Sequence, residues 1–115
     1  MPPILHVCIT CRAGQPLAED AAPAGRHMHS AIATHPNADA VELREVSCLS
    51  VCDSGCAAAI SMPGKWTYLL GGLAPAVAGD LLAYARLYAA HATGTVLPSK
   101  RAPSLARMVK GRLPA

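Results

Sequence analysis

Ile4-Leu5-His6-Val7-Cys8-Ile9-Thr10-Cys11 is a run of β-prone residues that ends in a Cys-x-x-Cys pair. Its β-branched and aliphatic content predicts a first strand over 4–10 that runs directly into Cys8 and Cys11. Residues 12–23 carry Gly14, Pro16 and Pro23 and read as a loop. Pro23 suits the first turn of a helix, with Asp20 upstream as a cap. A helix over 24–35 would place Met28 and Ile32 on one side with the small Ala24 and Ala31, and Pro36-Asn37 would end it. Residues 40–46 alternate Val41 and Leu43 with Glu42 and Arg44, the period of a second strand. The two strands of such a β-α-β unit run parallel. If they are neighbours, the cysteines that follow each of them arrive at the same end of the sheet.

Downstream, residues 57–62 read as a third strand, Pro63-Gly64 as a turn, and Trp66-Thr67-Tyr68-Leu69-Leu70 as a fourth strand completing a hairpin. Gly71-Gly72 reads as a further turn that needs positive φ. Pro75 then opens a helix over 76–91, with Val77, Leu81, Ala85 and Tyr88 as its apolar stripe. Ser104 reads as the cap of a last short helix with Leu105, Met108 and Val109 on one face. The order is β-α-β followed by β-β-α. It predicts an α/β, thioredoxin-like fold with a mixed four-stranded sheet over residues 1–96, and a basic C-terminal tail helix within 97–115.

The composition sets limits on function. Hydrophobic residues make up 52% of the 115 residues, but there is no Phe. Trp66, Tyr68, Tyr84 and Tyr88 are therefore the large anchors of a core made mostly of small side chains, and a bound metal would help such a core. The low charged content, 15%, excludes disorder. The longest uncharged apolar stretch lies between Lys65 and Asp80 and is broken by Gly71, Gly72 and Pro75, too short for the ~20 residues of a membrane span. Met1-Pro2-Pro3-Ile4-Leu5-His6 has no basic start and no long apolar run, so a cytoplasmic, reducing setting is expected.

In that setting five cysteines are not a disulfide framework. They fall in two groups, Cys8 with Cys11, and Cys48, Cys52 and Cys56 after a gap of one helix and one strand. Four thiolates converging at one sheet edge can hold a tetrahedral zinc ion or an iron–sulfur cluster. A Cys-x-x-Cys after the first strand of a β-α-β unit is also the thioredoxin dithiol motif, which would use Cys8 and Cys11 alone. Against the dithiol, Gly14 and Pro16 interrupt the helix that should follow at once, and Cys48, Cys52 and Cys56 would have no task.

Cys48-Leu49-Ser50-Val51-Cys52 resembles the Cys-Leu-Gly-x-Cys loop of thioredoxin-like [2Fe–2S] ferredoxins. It is also similar to that of the peripheral [2Fe–2S] subunit of respiratory complex I. The chain as a whole is closer to a family of small, uncharacterised bacterial proteins described as predicted metal-binding. The block from Cys48 to Cys56, with Pro63-Gly64-Lys65-Trp66-Thr67-Tyr68-Leu69 and Gly72-Leu73, is similar to that family's recurring pattern, and the resemblance covers about residues 4–92. It implies cluster ligation by Cys8, Cys11, Cys48 and Cys52. Three features depart from the ferredoxin pattern: the short spacing of Cys8 and Cys11, Ser50 where Gly is usual, and the additional Cys56. They leave Cys56 as an alternative ligand to Cys11.

No pairing of side chains looks built for acid–base turnover, so the expectation is a small one-electron carrier and not an enzyme. The first alternative is a non-redox zinc-binding or metal-carrier module that uses four cysteines, and the second is the dithiol redox protein. Arg12 and Lys65, if close to a negatively charged cluster, would raise its reduction potential. His27 and His29, two apart on a helix, do not share a face. His6 is expected to point away from the cysteines.

Charge divides the chain. Residues 1–80 hold seven acids and four basic residues, whereas 81–115 hold six basic residues and no acid, for a net charge of +3. Lys100, Arg101, Arg107, Lys110 and Arg112 make a basic tail suited to an acidic redox partner protein. No aromatic residue interleaves them, which argues against nucleic acid. The thin core also suits a homodimer.

Overall fold

The computed structural model describes residues 2–10, 22–47, 49 and 55–114. Strand β1 is Ile4–Cys8, helix α1 is Ala24–Ala33, and strand β2 is Glu42–Val46 after a 3-10 turn at Ala38–Ala40. Strand β3 is Cys56–Ser61 and strand β4 is Thr67–Leu73. Helix α2 is Ala78–Ala90, entered through a 3-10 turn at Pro75–Val77. Two further 3-10 turns, Pro98–Lys100 and Pro103–Leu105, lead to strand β5, Val109–Leu113.

The strands form one mixed sheet in the order β2-β1-β3-β4-β5. β1 and β2 are parallel, and the other three pairings are antiparallel. The fold class is therefore α/β as expected, but the sheet has five strands, not four. The expected tail helix is absent, because Val109-Lys110-Gly111-Arg112-Leu113 alternates apolar or small residues with charge, the period of a strand. That strand covers the outer edge of β4, whose backbone groups would otherwise be unpaired. Ser104 does not cap a helix; its hydroxyl donates to Asp80 Oδ2 at 2.7 Å and ties the tail to the first turn of α2. Leu105 and Met108 enter the main core.

Alternation assigns the two faces of the sheet. Leu5 and Val7 of β1, Ala58 and Ile60 of β3, and Tyr68 and Leu70 of β4 pack together with Met28 and Ile32 of α1 and Leu81, Leu82, Ala85 and Tyr88 of α2. Both helices thus lie on one face. The stripe on α2 is wider than expected, because Leu82 and Tyr84 are buried as well. With no Phe available, the tyrosines fill the centre: Tyr88 meets Tyr68 edge-on at 6.2 Å between ring centroids, and its hydroxyl donates to the Trp66 carbonyl at 2.6 Å. Trp66 itself is half-buried under the Arg112 guanidinium, 4.5 Å from the ring centroid.

Gly71 and Gly72 lie inside β4 and do not form a turn. Gly72 does take positive φ, 65°, beside the irregular register between Cys56 and Ala58. Gly55, with φ 147°, packs directly on it; a Cβ on Gly55 would lie 2.6 Å from the Gly72 Cα. Both the backbone conformation and the contact exclude a side chain. Gly55→Ala should therefore cost about 2–4 kcal/mol of stability in urea unfolding. A loss below about 0.5 kcal/mol would show that the Gly55–Gly72 contact gives way freely. Among the described residues no helix is long and apolar enough to cross a membrane.

Candidate metal centre

The parallel pairing of β1 and β2 runs in register from Ile4↔Glu42 to Cys8↔Val46, and the Ile9 N–H extends it to the Val46 carbonyl at 3.0 Å. Both strands therefore end level. The Cys8 Sγ lies 3.7 Å from the Ser47 carbonyl oxygen, to which it donates, and 3.7 Å from Thr10 Oγ1. The Thr10 hydroxyl also donates to the Ser47 carbonyl. Ser47 immediately precedes Cys48 in the chain, and Thr10 immediately precedes Cys11. Cys8 is fully buried, packed with Ala57, Val46 and Leu49 on the face opposite the helices. Cys11, Cys48 and Cys52 lie outside the described residues.

Cys56 opens β3 at the same end of the sheet, since β3 runs antiparallel to β1 with Val7 opposite Ala58. It too is buried, but it belongs with Ala58 and Ile60 in the core under the helices. Cys8 and Cys56 thus occupy opposite faces of the sheet. No sequence spacing alone could have separated them, because the strand could as well have begun one residue later.

Two expectations about the surroundings are corrected. His6 does not point away from the cysteines: two residues before Cys8 on a strand, it shares that residue's face. Its Nε2 is 3.4 Å from Ser61 Oγ. Burial, reinforced by Arg44, pushes its pKa below the ordinary value, which keeps the ring neutral. Lys65 is not near Cys8 or Cys56 either. It lies in the β3–β4 turn, at the opposite end of the sheet, where its ammonium donates to the His91 carbonyl. An antiparallel hairpin whose first strand starts at the cysteine end must turn at the far end. Arg12 lies outside the described residues.

His29 and His35 have other partners. His29 Nε2 is 3.8 Å from Glu45 Oε1, which Arg26 Nη1 also holds at 2.8 Å. His35 Nδ1 accepts the Asn37 N–H at 3.0 Å. Among the described residues no three His, Cys, Asp or Glu side chains gather as a metal-binding group. Thr10 and Ser47 are contacts that the sequence pattern did not single out. The signal available for Thr10 was its place inside the Cys-x-x-Cys, since the residues between two ligands control what reaches them.

The basic tail divides into distinct settings. Arg101 Nη2 donates to the Ala106 carbonyl at 3.2 Å and Arg112 stacks on Trp66. Lys100, Arg107 and Lys110 are exposed. The Met108 carbonyl accepts the Gly71 N–H at 2.8 Å, and Leu73 pairs with Cys56, so Arg107 and Lys110 lie toward the cysteine end of the sheet.

A family model described as "Protein of unknown function (DUF1636)" matches residues 5–115. The chain belongs to this family. The match takes in all five cysteines and the β5 strand, so the added fifth strand is within the part that defines a DUF1636 chain. No curated protein and no solved structure matches the chain.

Proposed function

We propose that the protein holds a [2Fe–2S] cluster through Cys8, Cys11, Cys48 and Cys52 and serves as a one-electron carrier, not an enzyme. The observation that carries this reading is the level parallel ending of β1 and β2, with the Cys8 thiol against the carbonyl that precedes Cys48. That register supports two cysteine pairs entering one site. The strand order β2-β1-β3-β4, two parallel strands followed by an antiparallel hairpin, supports a thioredoxin-like core to which β5 is added. Thiolates are a donor set suited to such a cluster, and Cys8 offers one shielded from water. The cluster supplies single-electron transfer when bound. The chain's part is to hold it and to bury it; the Thr10 hydroxyl oxygen lies 3.7 Å from Cys8 Sγ.

The burial of Cys8 weighs against the dithiol reading, which needs an accessible nucleophilic thiolate. The placement of Cys56 in the core under the helices favours Cys11 over it as the fourth ligand. Arg107 and Lys110 offer an acidic redox partner a landing site at the cysteine end.

The test is protein purified without air and without added metal. A red-brown protein with two iron and two sulfide equivalents is expected. A colourless protein carrying one equivalent of zinc would establish the four-cysteine zinc module instead. A colourless, metal-free protein with a reversible Cys8–Cys11 disulfide would establish the dithiol.

A further inference from the structure

At the end of the molecule away from the cysteines, the last turns of α2 and the chain that follows them leave a cleft of about 460 Å³. Its walls are Leu87 and Ala90 on the helix and Thr95, Val96 and Leu97 on the returning chain, with His91 and Lys100 at the rim. The location follows from two contacts that dock the C-terminal part of α2 beside the hairpin turn. The Trp66 N–H donates to the Thr93 carbonyl at 3.0 Å, and the Tyr88 hydroxyl donates to the Trp66 carbonyl.

Two of the three large hydrophobic side chains exposed among the described residues line this cleft: Leu87 is 44% and Leu97 58% exposed. Isolated exposed leucines are ordinary, but two that converge in one concavity mark a binding surface. Among the residues that line the cleft, Lys100 is the one charged side chain and there is no acid. No acid occurs in residues 81–115. Among the described residues the Lys100 ammonium has no ion pair or hydrogen-bond partner. The end of α2 would by itself repel an anion through its exposed carbonyls. Lys65 offsets this by donating to the His91 carbonyl.

We infer that this cleft binds a small monocarboxylate with an apolar chain, the chain lying between Leu87 and Leu97 and the carboxylate meeting Lys100. A volume of this size lies in the range of small-ligand sites, roughly 300–1,000 Å³. Charge complementarity selects an anionic head over a neutral or cationic one. The site is separate from the cysteine end, so it stands whether or not the protein carries a cluster.

The experiment uses the full chain with methyl-labelled leucine, titrated with dodecanoate below its micelle concentration and followed by NMR. The Leu87 and Leu97 methyl signals should shift saturably. Dodecyltrimethylammonium, with the same chain and the opposite charge, should bind about tenfold or more weakly. Lys100→Gln should weaken dodecanoate about tenfold while leaving the cationic probe and the melting temperature unchanged. Leu97→Asp should abolish the shifts. Any of three results would overturn the inference: no shift at Leu87 and Leu97, equal affinity for the two head groups, or dodecanoate binding indifferent to Lys100→Gln. Concentration-dependent shifts of the same methyls without any probe would also overturn it, by assigning the cleft to a second copy of the chain.

Discussion

Cys8→Ser, purified without air, should be colourless, whereas Cys56→Ala should keep nearly all of the visible absorption of the unaltered protein. The contrast follows from the sheet and not from the sequence, in which both residues are cysteines at the margin of a strand. Cys8 ends β1 level with Val46, its sulfur 3.7 Å from the carbonyl of Ser47, the residue that precedes Cys48. Removing it would take one thiolate from a four-thiolate site, and loss of a ligand should release the iron. Because metal binding contributes to folding free energy, the same change should also lower the melting temperature of anaerobically purified protein. Cys56 lies across the sheet, packed with Ala58 and Ile60 under the helices. Removing its thiol there, which leaves the alanine methyl, takes away a small apolar volume at a cost of about 1 kcal/mol. Loss of colour in Cys56→Ala with retention in Cys11→Ala would reverse this assignment. It would mean that β3 begins with its first side chain turned toward Cys8.

The parts of the fold that were legible are those in which one periodicity had no competitor. Val41 and Leu43 against Glu42 and Arg44 gave β2, and Met28 with Ile32 gave the buried side of α1. The tail was misread because Ser104 followed by Leu105 imitates a helix start, while its actual partner, Asp80, is 24 residues away. A strand of five residues with Gly111 at its centre has too few apolar positions to announce itself. The candidate site was legible as a convergence of two strands, since neighbouring parallel strands run the same way and their C-terminal ends lie on the same side of the sheet. Its neighbourhood was not. Whether Lys65 is near the cysteines depends on which end of the sheet the hairpin turns, and whether Cys56 faces Cys8 depends on a single-residue shift in where β3 starts. His6 was within reach of the sequence, because alternation along a strand already places it on the face of Cys8.

Tyr88→Ala should be the most damaging single truncation in the core, lowering stability by roughly 4 kcal/mol or more. The ring is fully buried, and in a chain without Phe it does what several larger side chains would share elsewhere. It meets Tyr68 and Tyr84 at 6.2 and 6.4 Å between centroids, and its hydroxyl satisfies the Trp66 carbonyl. It also reaches the backbone at Gly94, where φ is 80° and a Cβ would lie 2.5 Å from the ring. Neighbouring side chains relax only partly into such a space, so much of the cavity would persist, and domains of this size have only ~5–15 kcal/mol in total. Tyr88→Phe keeps the ring and should cost only about 1–2 kcal/mol, the net worth of the buried hydrogen bond. The two variants differ again in alkali. Burial, with Tyr68 beside it, pushes the Tyr88 pKa up from 10 to about 12, so the fold favours the neutral phenol. The contribution is fully present below pH 10 and is lost as pH rises toward 12. Urea unfolding of the unaltered protein should therefore show stability falling through that window, with Tyr84, raised by burial in the same direction, adding to the slope. Tyr88→Phe should flatten part of the fall. An identical alkaline slope in Tyr88→Phe would mean that the hydroxyl reaches water, and that the ring alone, not its hydrogen bond to Trp66, anchors α2 to the hairpin.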